Sequence, residues 1–92
     1  MFLILTEDKN LSVVKKTLLT KLAGFTILKG EGCWLGSSGV PEQENSLAIL
    51  VYHASLDSDI KPVCRELCRV NNQERIDILN VKNGQVHQVG KV

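Results

Sequence analysis

The sequence predicts an α+β fold in which two helices lie on one face of an antiparallel sheet. Three observations support this prediction. Short apolar runs typical of strands alternate with two segments of helical periodicity, and their order is strand, helix, strand, strand, helix, strand. An Asn-Gly pair near the end of the chain indicates a tight hairpin turn. The 92 residues suffice for a single domain, residues 1–92, with its own core.

The first strand and the first helix follow from the apolar pattern of the N-terminal quarter. Phe2–Thr6 is apolar at both alternating parities, which is typical of an inner strand. Asp8 or Asn10 is expected to cap the following helix, and Gly24 is expected to end it in the left-handed conformation. The helix itself is predicted by apolar residues that recur at intervals of three and four: Leu11, Val14, Leu18 and Leu22.

The second and third strands enclose the most unusual stretch of the chain. Phe25–Leu28 returns to the sheet, and the glycines that follow place Trp34 beside a row of bare backbone. Ser37–Glu44 is small, polar and acidic, which predicts a loop. Ser46–Tyr52 then forms another strand of central character. The loop would therefore project from a hairpin, where it could contact a ligand or a partner.

The second half of the chain repeats the helix and strand order. Pro62 falls in the first turn of the predicted helix, where its missing amide costs little, and Asn71-Asn72 ends the helix. Arg75–Val81 is a strand, and Val86–Val89 is a short edge strand with His87 facing outward. The inner face of the helix is formed by Ile60, Val63, Cys64, Leu67 and Cys68.

Two β-α-β units with right-handed crossovers give a ferredoxin-like split β-α-β sandwich (βαββαβ), here with a short extra C-terminal edge strand. This arrangement leaves apolar residues of the first, third and fourth strands on the face that the helices do not cover. A monomer would expose several hundred Å² of apolar surface. We therefore expect a homo-oligomer, most simply a dimer.

Composition and charge exclude several classes of function. The formal net charge is +1 and the basic residues are dispersed, so a nucleic-acid partner is not favoured. No apolar run approaches a membrane span and no signal peptide is evident, so a cytoplasmic location is expected. Cys33, Cys64 and Cys68 are predicted to be small buried apolar groups, because paired metal-ligand spacings are absent. No metal or other cofactor is predicted.

Six residues are candidates for ligand binding: Trp34, Glu42, Glu44, Ser46, Gln73 and Glu74. Each has a structural alternative. Trp34 could be a core or interface aromatic, and Glu42 could belong to a solvated loop. Glu44 and Ser46 could form a buried turn, and Gln73-Glu74 a capping and turn element. With the first and third strands taken as parallel, the Trp34–Glu44 cluster and the Gln73-Glu74 cluster are expected at opposite ends of the sheet within one subunit.

A set of short motifs resembles an uncharacterised group of small bacterial and phage domains. The motifs are Gly24-Phe25-Thr26-Ile27, Gly32-Cys33-Trp34, Glu44-Asn45-Ser46 and Asn72-Gln73-Glu74-Arg75-Ile76. The resemblance implies the fold and a phage or mobile-element origin, and it implies no activity. Phe25 departs from the group's pattern. The strand and helix order is also similar to that of nitrogen-regulatory P-II proteins, in architecture alone.

Three classes of function remain after these exclusions. The favoured class is a noncatalytic binding or regulatory module that acts as a homo-oligomer. It would contact a protein or a small ligand through the loop after the second strand and the open sheet face. The alternative is a small enzyme with a carboxylate or histidine acid-base site between subunits, using Glu44, His53 or Glu74. A nucleic-acid binder would need aromatic side chains on its sheet, and only Phe2 and Tyr52 are available.

Overall fold

One five-stranded antiparallel sheet and two α-helices make up the computed structural model, which describes residues 1–90. In chain order the strands are β1 (Phe2–Glu7), β2 (Thr26–Leu35), β3 (Pro41–Val51), β4 (Arg75–Asn80) and β5 (Val86–Gly90). The helices are α1 (Leu11–Leu18) and α2 (Lys61–Asn71), the latter preceded by a π-helical turn at Leu56–Ile60. The order across the sheet is β2-β3-β1-β4-β5. This architecture is compatible with a ferredoxin-like fold.

The core lies between one face of the sheet and the two helices. Ile4 is in the central strand, and its cross-strand partners Ile49 and Ile78 are buried beside it on the same face. Burying each of these side chains contributes about 1.5–3 kcal/mol to folding. The helices complete the core with Val14 and Leu18 from α1 and with Val63, Cys64, Leu67 and Cys68 from α2.

Several local signals in the sequence have the predicted effect. The Asn10 side chain caps α1 by accepting a hydrogen bond from the Val13 amide at 3.3 Å. Pro62 occupies the first turn of α2, and the helix ends at Asn72 with φ of 49°. Gly84, with φ of 74°, makes the turn before β5. These contacts set where the elements begin and end.

The predicted end of the first helix is wrong. α1 stops at Leu18, and Gly24 does not adopt the left-handed conformation. The Thr17 carbonyl accepts hydrogen bonds from both the amide and the hydroxyl of Thr20, so the chain tightens into a turn one residue after the helix. Leu22 remains buried although it lies outside the helix.

The loop predicted at Ser37–Glu44 is also wrong in its extent. β2 continues to Leu35, β3 begins at Pro41, and only a short turn with Gly39 at φ of 79° joins them. β1 pairs with β3 no further than Glu7 opposite Ser46. The outer parts of β2 and β3 therefore project past β1 as a two-stranded ribbon, residues 31–45. Glu42 and Glu44 lie on this ribbon, on a strand instead of a loop.

His87 does not face outward as predicted. It pairs with Ile78 and shares the helix-covered face with it. The side chain is half-buried, and its Nε2 atom is buried with no hydrogen-bond partner among residues 1–90. The prediction failed because alternation in β5 places Val86 and Gln88, not His87, on the open face.

The open face of the sheet carries the apolar surface that the sequence predicts. Leu5 and Leu28 are 47% and 53% exposed there, and Val86 is 62% exposed. Leu3, Leu50 and Leu79 lie on the same face and are half-buried. Helices long and apolar enough to cross a membrane are absent from residues 1–90.

The three cysteines occupy different environments. Cys64 and Cys68 are buried on α2, as predicted, and burial together with the neighbouring Cys68 thiol raises the pKa of Cys64 to about 12. The prediction is wrong for Cys33, which is exposed. Cys33 lies on the ribbon, past the part of the sheet that the helices cover. It is therefore the accessible thiol of the folded chain.

We expect alkylation by iodoacetamide at pH 8 to modify Cys33 rapidly and to leave Cys64 and Cys68 unmodified, because a reactive thiol must be both accessible and deprotonated. Peptide mass spectrometry after timed quenching measures the modification of each cysteine. In denaturant all three should react. Modification of Cys64 as fast as Cys33 in the native protein would contradict this account of the core.

Candidate functional site

The strand directions bring together residues that the sequence analysis expected to be apart. β3 and β4 both pair with β1 in the antiparallel direction, so the expectation of parallel first and third strands is wrong. The start of β3, with Glu44 and Ser46, therefore lies beside the end of β1, and so does the start of β4, with Gln73 and Glu74 just before it. The two candidate clusters meet within one subunit.

A cleft of about 660 Å³ lies at this end of the sheet. It is open to solvent on one side, and its volume falls in the range of roughly 300–1,000 Å³ common for small-molecule sites. The central strand contributes Leu5, Thr6 and Glu7, the ribbon and β3 contribute Trp34, Glu44 and Ser46, and β4 with the residues before it contributes Asn72, Gln73, Glu74, Arg75 and Asp77.

Five of the six predicted ligand-binding residues line this cleft, and Glu42 does not. The Glu42 carboxylate lies over the turn of the ribbon, where a Cβ atom added at Gly36 would be 2.7 Å from its Oε1 atom. His53, a candidate acid-base residue, follows the far end of β3 and is exposed there. The cleft therefore contains carboxylates but no histidine.

Trp34 forms one wall of the cleft and lies next to a residue without a side chain. A Cβ atom at Gly32 would lie 3.6 Å from Cζ3 of Trp34 and 2.8 Å from the Ser46 hydroxyl. The indole thus lies near bare backbone, as the glycine pattern predicts. It remains 44% exposed, so it is not a core residue of the subunit. An exposed aromatic ring in a cleft can stack on a planar ligand.

Glu44 faces a second carboxylate, that of Glu7. Desolvation raises the pKa of Glu44 above its usual value, and repulsion from Glu7 and a hydrogen bond shared with it raise the pKa further, against the opposing effect of Lys9. The Lys9 ammonium lies 2.8 Å from Glu7 Oε2 and also donates a 2.9 Å hydrogen bond to the Asn71 carbonyl. Lys9 therefore links the carboxyl pair to the end of α2.

Gln73 holds the end of β1 against the start of β4. Its Oε1 atom accepts hydrogen bonds from the Thr6 hydroxyl at 2.8 Å and from the Glu7 amide at 3.3 Å. Its Nε2 atom donates to the Arg75 carbonyl at 2.9 Å. Both ends of the amide are therefore engaged, which favours the structural alternative for Gln73 over direct contact with a ligand.

Sequence reasoning did not single out Thr6, Glu7 and Asp77, which line the cleft, or Lys9, which forms an ion pair with Glu7. Glu7 offered a usable signal, because it comes directly after the predicted inner strand Phe2–Thr6. Asp77 interrupts the apolar pattern of β4 on the open face, and its Oδ1 atom is buried with no hydrogen-bond partner among residues 1–90. A buried, unpaired carboxylate oxygen is costly unless a ligand or water satisfies it.

Within the described part of the chain, no group of three or more His, Cys, Asp or Glu residues is arranged to hold a metal ion. The cleft combines four carboxylates, one arginine and one indole. Such a surface suits a small organic cation that carries a planar ring.

Comparison with known proteins gives one informative result. No family model matches the chain, and no curated protein matches it. The fold is similar to that of a solved structure described as a phage SAM lyase in complex with S-methyl-5'-thioadenosine. The TM-score is 0.67 and the sequence identity 18%, over 97% of this chain and 87% of that chain. At this identity the likeness shows the fold.

We expect the substitution Glu44→Gln to change stability in a pH-dependent way. Because the pKa of Glu44 is raised in the folded chain, its contribution to stability is fully present below its unfolded pKa, near 4.3, and is lost as the pH rises through the folded pKa. The free energy of unfolding of Glu44→Gln minus that of the wild type should therefore be more positive at pH 8 than at pH 4. Urea unfolding at the two pH values measures this difference.

The matched control for this prediction is Glu42→Gln, which removes a carboxylate from the same face of the ribbon but outside the cleft. It supplies the baseline for losing one charge from the ribbon. If Glu44→Gln differs from the wild type by the same free energy of unfolding at both pH values, the carboxyl pair has been misassigned.

Proposed function

We propose that the cleft binds a small cationic nucleoside and that S-adenosylmethionine (SAM) is its ligand. The observation that carries the proposal is the Glu7–Glu44 carboxyl pair beside the exposed ring of Trp34. A sulfonium cation near Glu44 would relieve the repulsion between the two carboxylates. The indole of Trp34 offers a face for cation–π attraction or for stacking on an adenine ring.

Two further features support a cation as the ligand. The cleft carries an excess of negative charge, since its lining has four carboxylates and one arginine. The buried Oδ1 atom of Asp77, unpaired among residues 1–90, could accept a hydrogen bond from an ammonium or hydroxyl group of the ligand. An anionic ligand such as a nucleotide phosphate would meet repulsion from the same groups.

The structural neighbour supports the choice of SAM among cationic nucleosides. That protein is a phage SAM lyase, and its structure contains S-methyl-5'-thioadenosine. This compound keeps the adenosine and the sulfur of SAM but lacks the charge. A fold shared at a TM-score of 0.67 makes a related ligand the first to test.

Binding without turnover is one function of such a site, and cleavage of SAM is the second candidate. Similarity to the structure of a SAM lyase favours cleavage. To release S-methyl-5'-thioadenosine, the bond between sulfur and the amino-acid chain breaks, and both electrons of that bond go to sulfur, which becomes neutral. The carboxylate oxygen of the amino-acid part can bond to the freed carbon, so neither water nor a redox partner is consumed. Glu44 would hold the cation before cleavage.

We expect SAM to change the fluorescence of Trp34 saturably, because Trp34 is the sole tryptophan of the chain and lines the cleft. Glu44→Gln should weaken SAM binding about tenfold, which corresponds to about 1.4 kcal/mol. It should leave the binding of uncharged S-methyl-5'-thioadenosine nearly unchanged. Fluorescence titration at pH 8 gives both affinities, and Glu42→Gln is again the matched control.

A wild-type protein that shows no fluorescence change up to millimolar SAM would refute the proposed ligand. Incubation with SAM followed by liquid chromatography and mass spectrometry separates the two candidate functions. Accumulation of S-methyl-5'-thioadenosine above a no-protein control identifies a lyase. Saturable binding with no product identifies a noncatalytic binding module.

We also propose that the chain forms a homo-oligomer through its open sheet face. In a ferredoxin-like arrangement both helices cover one face, and here the other face presents Leu5, Leu28 and Val86 to solvent. A patch of this kind on a small domain is typical of an association surface. A second copy of the chain is the occupant that requires no additional partner. The cleft opens beside this face, so a neighbouring subunit could close its open side.

We expect Leu28→Lys to shift the protein toward monomer, since a lysine at this edge-strand position would place a charge in the apolar interface. Light scattering at micromolar concentration measures the molecular mass. The control is Leu19→Lys, because Leu19 is 61% exposed but lies after α1, away from the open face. A wild-type protein that is monomeric under these conditions would contradict the oligomer proposal.

A further inference from the structure

Lys9 lies next to the cleft and contacts two other elements. Its ammonium forms the 2.8 Å ion pair with Glu7 at the end of β1, and it donates the 2.9 Å hydrogen bond to the Asn71 carbonyl in the last turn of α2. A cation is favourable at a helix C-terminus, where carbonyl groups lack intrahelical partners. The lysine is therefore held in place for a reason that does not depend on any ligand.

Lys9 makes the two carboxylates of the pair differ, because it forms an ion pair with Glu7 but not with Glu44. Glu7 has a cation in direct contact, whereas no ion pair to Glu44 occurs among residues 1–90. The Glu44 carboxyl faces Glu7 and lines the cleft. Without Lys9, the full negative charge of Glu7 would act on Glu44 and oppose its ionisation.

We propose that Lys9 is a positioning residue that neutralises Glu7 and so leaves Glu44 as the carboxylate that meets the cation of the ligand. This inference rests on the proposed function, since it concerns the charge that the cleft offers to SAM. It makes Lys9 a determinant of specificity for charge. With Glu7 paired, the carboxyl pair presents one free negative charge, which suits one sulfonium.

Several other charged groups lie near Glu44. Glu31 on β2 lines a shallow hollow with Glu44 on the other side of the ribbon. The remaining groups come from β1, from the segment after it, and from β4 with the residue before it: Glu7, Lys9, Glu74, Arg75 and Asp77. Besides desolvation, Glu7 raises the pKa of Glu44, and Lys9 acts in the opposite direction.

The test compares Lys9→Met with the wild type in a carboxyl ¹³C NMR titration of the ligand-free protein. The Glu44 signal is assigned by its loss in Glu44→Gln. We expect Lys9→Met to raise the midpoint for Glu44 by about 0.5 pH unit, because a nearby cation is removed and Glu7 is left unpaired. Lys9→Arg should restore the wild-type midpoint, since it keeps the charge.

Two measurements separate this role from a merely structural one. Lys61→Met is the matched control, because Lys61 also forms an ion pair near an end of α2, 3.2 Å from Asp57, but outside the cleft. It should leave the Glu44 midpoint unchanged. SAM affinity measured from pH 5 to pH 8 should fall as Glu44 is protonated, and in Lys9→Met this fall should occur at higher pH by the same shift. A structural defect would lower affinity equally at every pH.

An unchanged Glu44 midpoint in Lys9→Met would overturn the inference, and the proposed function would stand if the wild type still binds SAM. If the midpoint shifts but no variant, including the wild type, binds SAM, the proposed ligand is wrong. The control of Glu44 by Lys9 is then supported independently. The two proposals therefore fail by different observations.

Discussion

The central position of β1, paired in the antiparallel direction on both sides, is the constraint on which the rest of the structure depends. Because β3 and β4 run in the same direction, both begin where β1 ends. Residues distant in sequence, such as Glu7, Glu44 and Gln73, are brought together by backbone pairing alone. The buried row across the same three strands, with Ile4 at its centre, stabilises this register, since a one-residue slip would move the row to the open face.

This framework holds the carboxylates of Glu7 and Glu44 close enough to repel each other. Partial desolvation of Glu44 and repulsion from Glu7 oppose the ionisation of Glu44, and Lys9 offsets part of this effect. Gln73 links the end of β1 to the start of β4, and the pairing of β1 with β3 keeps Glu7 close to Glu44. Functional sites commonly contain groups with perturbed pKa values held by a rigid surround. In this cleft, the repulsion between Glu7 and Glu44 would decrease when a cation binds.

The sequence allowed the order of elements and the Asn10 cap to be predicted, because these depend on local pattern and turn chemistry. Five of the six candidate residues are among the eleven that line the cleft. The geometry of the site was not predictable in the same way. The expectation that the first and third strands are parallel placed Glu44 and Gln73 at opposite ends of the sheet, whereas both lie beside the end of β1. His87 was misplaced because a strand of five residues gives too little alternation to fix its face. Lys9 gave no signal, since its role depends on a contact with α2, 62 residues away in sequence.

The ribbon shows why the glycine pattern around Trp34 matters more than any single motif. A two-stranded ribbon has little stability of its own in water, and β1 supports only its base, up to Ser46. At Gly32 a Cβ atom would lie 2.8 Å from the Ser46 hydroxyl and would crowd it, and the indole of Trp34 lies next to this bare backbone at 3.6 Å. Trp34 is then held near Glu44 while still 44% exposed. Burial of Trp34 would have stabilised the ribbon, whereas its exposure places an aromatic surface beside a carboxylate. The exposure is explained if a ligand or a neighbouring subunit supplies the missing contact.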